Sequence, residues 1–363
     1  MKTDKKNFST RLATVMMAGT LAAGILGTSA FAAENQPGDP INNVTVKKTV
    51  LTDGNTYAPN TTFAFTVENG IAGHYDGNVV YEGVTDGLKE GAGAVFSPTK
   101  EGMTEVAASY SATGTLVTDA SKFGRAGVYH YIVKEAANNY EGIQTDSAAY
   151  DVYVYVYEKA DGSRYVGDVV STKTVDNEIA KADLAFSNNY GEGENDSTHD
   201  ITIKKVITGN QAKKDDIFTV NIVVNGADDE IYKVVVNEGE AGAVTDKLIS
   251  GKSKSFKVTD NTTIRIYGLT DSDTVTVTEA ENNDGYVASY SKVTNSAGTD
   301  YSDRTIDEGI NVTQDASKAE VTNTKNATTP TGIVMNYAPY IFMIVLAGTM
   351  VVFFFRKKNH KEA

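Results

Sequence analysis

Three kinds of polar side chain recur in the same order in both halves of this chain, and each lies in a segment where apolar residues alternate. Residues two apart in a β-strand share a face. Lys48 is in phase with Val46 and Val50, whereas Lys47 shares the other face with Thr49. The residues placed in this way on an apolar face are Lys48, Glu135 and Asn188, then Lys205, Glu279 and Asn323. We therefore expect six polar side chains to point into apolar cores, three in each half.

These residue types in one dry site can form a covalent bond. A buried lysine tends to lose its proton, because desolvation disfavours the charged form. The neutral amine is a nucleophile, and an asparagine side chain held beside it offers an amide carbon to attack. Ammonia leaves and a Lys–Asn isopeptide bond remains. Glutamate serves as the general acid and base, polarising the amide and protonating the leaving group.

The competing interpretation is a buried Lys–Glu ion pair with a hydrogen-bonded asparagine. A single set of three residues would favour it, because buried ion pairs are commoner than self-made amides. Two sets in the same order favour the crosslink. The chain also contains no cysteine, so disulfides cannot stabilise it outside the cell.

The segments that carry these residues have the pattern of β-strands. Residues 150–158 read YDVYVYVYE, 216–224 read DIFTVNIVV and 273–279 read DTVTVTE. Turn sequences such as Asp53-Gly54-Asn55 separate such runs, and no long segment of helical period occurs between residues 33 and 331. The pattern predicts an all-β protein built from antiparallel sandwiches.

An internal repeat divides the predicted strands into two domains. NVTVKKTV at 43–50 returns as DITIKKVI at 200–207. Between the repeats, residues 191–199 read GEGENDSTH, which is polar and turn-prone and therefore typical of a linker. We expect a first domain at 33–190 and a second at 200–326.

The N-terminal residues have the pattern of a secretory signal peptide. A basic start is followed by an apolar stretch and by Ala30-Phe31-Ala32, which provides the small residues that signal peptidase needs. We expect residues 1–32 to be removed by cleavage after Ala32.

The C-terminal residues, 327–363, resemble a sortase sorting signal. Thr329, Pro330, Thr331 and Gly332 precede a mostly apolar run at 333–355 and a basic tail. About 20 apolar residues suffice for a transmembrane helix, and basic residues favour the cytoplasmic side. The sequence at 329–332 departs from the common Leu-Pro-x-Thr-Gly form, which leaves open which sortase recognises it.

Charge and composition exclude several classes of function. The ends hold eight of the 33 basic and two of the 47 acidic residues, so the mature part has a net charge of −20. Such a charge argues against binding nucleic acid. The histidines of the mature part, at 74, 130 and 199, have no metal-ligand spacing, and we expect no metal and no cofactor. Beyond single-turnover crosslinking, no catalytic set indicates an enzyme.

These features together resemble the shaft (backbone) pilins of Gram-positive bacteria, specifically the streptococcal pilin isopeptide-linkage domain family. The segments that carry the resemblance are VTVKK (44–48), YHYIVKE (129–135), LAFSN (184–188), ITIKK (201–205), VTVTE (275–279) and VTN (321–323). The resemblance implies two tandem immunoglobulin-like β-sandwich domains, each with a bond between its first and last strands. The implied bonds are Lys48–Asn188 with Glu135 and Lys205–Asn323 with Glu279.

The family also implies a lysine that receives the C-terminal threonine of the next subunit. Lys181 stands seven residues before Asn188, where the family places this acceptor, and Lys173 is a nearby competitor. Seven is odd, so an unbroken strand would turn Lys181 outward.

The expected product is a structural pilus shaft on the cell surface, anchored to the cell wall. Its partners would be copies of itself, a pilus-specific and a housekeeping sortase, peptidoglycan, minor pilins and host ligands. The alternative is a monomeric wall-anchored adhesin with the same domains, which needs no acceptor lysine.

Overall fold

Alternating sequence forms strands along most of the chain. The computed structural model describes residues 39–175, 178–191, 197–281, 284–291, 304–327, 340, 342–347 and 349–350. The strands before residue 191 are β1 (Asn43–Leu51), β2 (Thr61–Phe63), β3 (Phe65–Asn69), β4 (Gly73–Tyr75), β5 (Asn78–Glu82), β6 (Leu88–Glu90), β7 (Ala94–Phe96), β8 (Ser109–Thr118), β9 (Gly127–Glu135), β10 (Ala149–Glu158), β11 (Arg164–Val175), β12 (Glu178–Lys181) and β13 (Ala185–Asn189). A short 3-10 helix occupies Ala120–Lys122.

The strands after residue 198 form a second set. They are β14 (His199–Thr208), β15 (Phe218–Asn225), β16 (Ile231–Val236), β17 (Val244–Ile249), β18 (Lys254–Val258), β19 (Thr263–Leu269), β20 (Thr274–Glu279), β21 (Val287–Tyr290), β22 (Ile310–Asn311) and β23 (Ser317–Thr324). A 3-10 helix occupies Ile306–Glu308. The prediction of an all-β protein is confirmed.

Each set of strands forms two main sheets around its own apolar core. In the first, the order β13-β1-β8-β6 makes one sheet and β12-β11-β10-β9-β5-β4 the other, with β3 also on β9 and a small β2-β7 pair beside them. In the second, the orders are β17-β16-β19-β14-β23-β21 and β18-β15-β20-β22. Buried side chains from both sheets form one large cluster in each set, which is the arrangement of a β-sandwich. The first set also has a small second cluster of Val80, Val128 and Tyr153.

The first and last strands of each sandwich are parallel neighbours. β1 pairs with β13, and β14 pairs with β23. Among the described strands, no sheet takes members from both sides of the segment between Asn189 and His199. This arrangement places the lysine of each first strand beside the asparagine of its last strand.

Both predicted targeting segments fall mainly outside the described residues. The signal peptide at 1–32 and the motif at 329–332 are not among them. Residues 340, 342–347 and 349–350 are helical, and within the described residues no helix is long and apolar enough to cross a membrane.

Candidate functional site

The first cluster lies between the two sheets of the first sandwich. Lys48 comes from β1, Glu135 from the end of β9 and Asn188 from β13. The Lys48 Nζ donates a hydrogen bond of 2.8 Å to Glu135 Oε2. The Asn188 Nδ2 donates one of 2.6 Å to Glu135 Oε1. One carboxyl group therefore binds both the amine and the amide.

Strand register explains how the lysine reaches the asparagine. Val50 is the neighbour of Asn188 in the parallel pair of β1 and β13. Lys48 is on the same face two residues earlier, so its extended side chain runs along the sheet toward Asn188. Both residues are at most 1% exposed, and the side chain of Glu135 is completely buried. Lys47 points the other way and pairs with Asp183 in solvent.

The second cluster repeats this geometry. Lys205 comes from β14, Glu279 from the end of β20 and Asn323 from β23. Lys205 Nζ lies 2.6 Å from Glu279 Oε2, and Asn323 Nδ2 donates a 2.6 Å hydrogen bond to Glu279 Oε1. Lys205 also donates to Asn323 Oδ1. The register matches too, because the neighbour of Asn323 is Ile207, two residues after the lysine.

Burial determines the electrostatics of both lysines. It lowers the pKa of Lys48, although the hydrogen bond and the charge of Glu135 partly oppose this effect. The pKa of Lys205 is lowered for the same reason, with Glu279 as the opposing group. Lower amine pKa values favour the neutral, nucleophilic form.

An aromatic ring forms one wall of each cluster. The Lys48 Nζ lies 4.8 Å from the ring centroid of Phe63, and the Lys205 Nζ lies 4.3 Å from that of Phe218. The sequence pattern does not predict the position of these rings. Each ring belongs to the strand that follows the lysine strand. Alternation of apolar residues does not distinguish an aromatic side chain beside the lysine from any other aromatic side chain of the core.

The proposed acceptor, Lys181, is the last residue of β12 and is exposed. The outward direction predicted for Lys181 depended on an unbroken strand to Asn188, and that condition is not met. β12 pairs with β11 in one sheet and β13 with β1 in the other, so the chain changes sheets between them. Lys173 is half-buried, with its Nζ 5.3 Å from the ring centroid of Tyr150.

A third polar cluster, which the sequence pattern does not predict, lies where the two sandwiches meet. Glu230 Oε1 accepts hydrogen bonds from Tyr140 at 3.1 Å and Tyr190 at 2.9 Å, and Oε2 accepts one from Tyr232 at 2.7 Å. Burial and the nearby charge of Glu230 raise the pKa of Asp273 to about 7. Glu230 follows two aspartates and has the pattern of a solvated turn, but it is buried.

Comparison with known proteins finds similar sequences for both sandwiches. Residues 44–191 match the family described as Spy0128-like isopeptide containing domain, and residues 199–325 match a domain of unknown function. A curated pilin from Streptococcus pyogenes serotype M1 is 28% identical over 354 residues, covering 91% of this chain and 96% of that protein. The chain is similar to the streptococcal pilins over most of its length, and residues 44–191 match the isopeptide containing family. It is a structural subunit of a cell-surface pilus and not an enzyme.

Solved structures show that this pilin also shares its fold with major pilins. The structure of the major pilin from S. pyogenes serotype GAS131465 has a TM-score of 0.56 at 23% identity, and the match covers 79% of this chain and 98% of that one. The major pilin of S. pyogenes has a TM-score of 0.56 at 19% identity, with 79% and 99% covered. The first cluster lies inside the region matched as isopeptide-containing, and the second lies inside the other matched region.

Proposed function

We propose that this pilin forms the shaft of a pilus. Amide bonds crosslink each subunit internally, and further amide bonds join each subunit to the next. The observation that carries the proposal is the convergence of a lysine, a glutamate and an asparagine in two buried clusters of the same register. The alternative, two buried Lys–Glu ion pairs each with a hydrogen-bonded asparagine, gives no reason why both asparagines lie beside a lysine of lowered pKa.

Proton transfer to the carboxylate prepares each lysine. In the first cluster, Glu135 Oε2 is 2.8 Å from the Lys48 Nζ, so one proton can pass along that hydrogen bond. The result is a neutral amine beside a neutral carboxylic acid, which costs less in a dry core than two charges. Phe63 keeps water from the amine.

The amine then replaces ammonia on the asparagine. The Lys48 Nζ lone pair attacks Cγ of Asn188, and the Cγ–Nδ2 bond breaks. Glu135 accepts the proton that the amine loses and donates one to Nδ2, which leaves as ammonia. Glu279 acts in the same way on Lys205 and Asn323, and each reaction occurs once per molecule.

Each bond connects the first and last strands of its sandwich. These strands are adjacent and parallel in both sandwiches. Force applied at the two ends of a sandwich would then pass largely through the crosslink, so the strands between them would carry little of the load.

Bonds between subunits would come from a sortase. It would cleave between Thr331 and Gly332, hold the threonine as an acyl-enzyme and transfer it to Lys181 of another copy. The exposure of Lys181 at the end of β12 supports this choice of acceptor. Head-to-tail contacts of this kind do not close on themselves, so they generate an open filament. A housekeeping sortase would join the finished filament to peptidoglycan.

Boiled cell-wall extracts test this assembly. We expect a ladder of detergent-resistant polymers in the wild type and its loss in a Lys181→Ala strain, while Lys173→Ala serves as the matched control and keeps the ladder. Persistence of the full ladder in the Lys181→Ala strain would reject that acceptor. Absence of any ladder in the wild type would favour the monomeric adhesin.

A further inference from the structure

The loop before β10 contacts the amide group that the lysine attacks. The main-chain N–H of Asp146 donates a hydrogen bond of 2.9 Å to Asn188 Oδ1. A main-chain N–H can only donate, so this contact fixes the orientation of the amide. The carbonyl oxygen points toward Asp146, and the Nδ2 points toward Glu135.

The side chain of Asp146 holds this loop against the last strand. Its Oδ2 accepts a hydrogen bond of 2.8 Å from the main-chain N–H of Ser187, the residue before Asn188. Its Oδ1 accepts one of 2.8 Å from the N–H of Ala148. The carboxylate therefore ties the donor to the strand that carries its acceptor.

We propose that the main-chain N–H of Asp146 is the oxyanion donor for isopeptide formation in the first sandwich, and that the Asp146 carboxylate is its positioning group. This inference rests on the proposed function. As Lys48 attacks Cγ, the electron pair of the carbonyl bond moves to Oδ1, where the N–H stabilises the negative charge. Collapse of this intermediate restores the carbonyl group and expels Nδ2 as ammonia with a proton from Glu135.

In this geometry, Glu135 and the main-chain N–H of Asp146 have separate roles in the reaction. Glu135 faces the leaving nitrogen and the attacking amine, and it transfers the protons. Asp146 faces the oxygen and stabilises its charge. The carbonyl of Asn188 is then polarised by the main chain and not by Glu135.

The second sandwich provides an internal comparison. There Asn323 Oδ1 accepts from the Lys205 amine, and in the described part of the chain no main-chain N–H donates to it. A change at Asp146 should therefore alter the first bond and leave the second as a reference in the same molecule.

An amide-to-ester exchange tests the donor, because it replaces one N–H with an oxygen atom. The mature chain, residues 33–331, is made by cell-free translation with alanine or with its α-hydroxy acid at position 146, and samples are quenched at intervals. Mass spectrometry of the peptides containing Asn188 and Asn323 follows the loss of ammonia in each sandwich. The same pair of substitutions at Ser147, which is exposed, controls for the presence of an ester.

Removing one oxyanion donor typically slows a reaction by about 100-fold to 1,000-fold. We expect a loss of that size for the ester at 146 relative to the alanine amide, with the second bond unchanged and the ester at 147 close to its own amide. The pH dependence of the first bond should have the same shape for the alanine amide and its ester, since both lack the Asp146 charge that raises the pKa of Lys48. A displaced Lys48 or Glu135 would change that shape.

Asp146→Ala and Asp146→Asn test the positioning role. Both should slow the first bond, and the asparagine variant should be the faster of the two because its amide oxygen still accepts one of the two N–H groups. Equal rates for the amide and the ester at 146 would overturn the oxyanion assignment. If the wild type never loses ammonia from the first sandwich, the proposed function itself fails.

Discussion

Asn323→Ala separates the contribution of a crosslink from that of the cluster around it. The variant keeps the 2.6 Å contact between the Lys205 amine and Glu279, so no buried charge loses its partner. It removes the amide carbon on which the bond forms. Removal of either charged residue alone would leave an unpaired charge, which confuses the measurement because such changes cost about 3–5 kcal/mol by themselves.

The expected magnitude follows from the loop that the bond closes. Lys205 and Asn323 are 118 positions apart in the sequence. By analogy with disulfides, closing a loop of this size in the unfolded chain stabilises the fold by about 5 kcal/mol at 25 °C. The Asn323 Nδ2 that donates to Glu279 leaves as ammonia when the bond forms, so its hydrogen bond adds nothing to this difference. We therefore expect the free energy of unfolding of the second sandwich to fall by about 5 kcal/mol.

A double-mutant cycle isolates the crosslink. In a Lys205→Met background no bond can form, so adding Asn323→Ala should cost only about 1 kcal/mol for the lost hydrogen bond. The four proteins are the wild type, Asn323→Ala, Lys205→Met and the double variant. Guanidinium unfolding of each, with its intact mass recorded, gives the cost of Asn323→Ala in both backgrounds. If Asn323→Ala lowers the free energy of unfolding equally in the two backgrounds, the crosslink contributes no stability.

The remaining predictions concern phase, pH and independence of the two sandwiches. Lys48→Ala should restore one ammonia to the intact mass, whereas Lys47→Ala and Lys204→Ala should restore none, because both of those lysines face solvent. If either control protein regained the mass of an ammonia molecule, the assignment of the lysines to inward and outward faces of the strands would be wrong. The raised pKa of Asp273, about 7 against a model-compound value of 3.8, means that the folded protein binds a proton more tightly than the unfolded chain. The free energy of unfolding should fall by up to about 4 kcal/mol as pH rises from about 4 to about 7. Denaturant titrations at several pH values should show a smaller dependence on pH in Asp273→Asn. Equal dependence on pH in the two proteins would count against a buried pair of carboxyl groups, Glu230 and Asp273. Glu279→Ala should abolish the second crosslink only, so peptide mapping should still find the first, and loss of both would contradict two independent reactions.

Strand phase was the part of the site that sequence could predict. Alternation in VTVKK distinguishes the buried Lys48 from the exposed Lys47, because the two-residue period decides which face each side chain takes. The same reasoning placed both glutamates and both asparagines on inward faces. The resemblance to shaft pilins supplied the pairing between distant strands, which alternation does not contain.

Features set by the path of the chain between strands were not predictable in this way. Asp146 lies in a loop, and its contact with Asn188 depends on how β10 approaches β13. The odd spacing of Lys181 and Asn188 predicts opposite faces only on one unbroken strand, but the chain changes sheets after β12, so the spacing does not apply. Glu230 follows two aspartates, yet the other sandwich buries it with two tyrosine hydroxyls.

The mass of the intact mature protein distinguishes two Lys–Asn bonds from two ion pairs. Two bonds release two molecules of ammonia, so we expect a mass two ammonia molecules below that of the sequence. Fragmentation should yield one linked peptide pair containing Lys48 and Asn188 and another containing Lys205 and Asn323. A folded mature protein at its full sequence mass, with no linked peptides, would contradict the account and leave two buried ion pairs in its place.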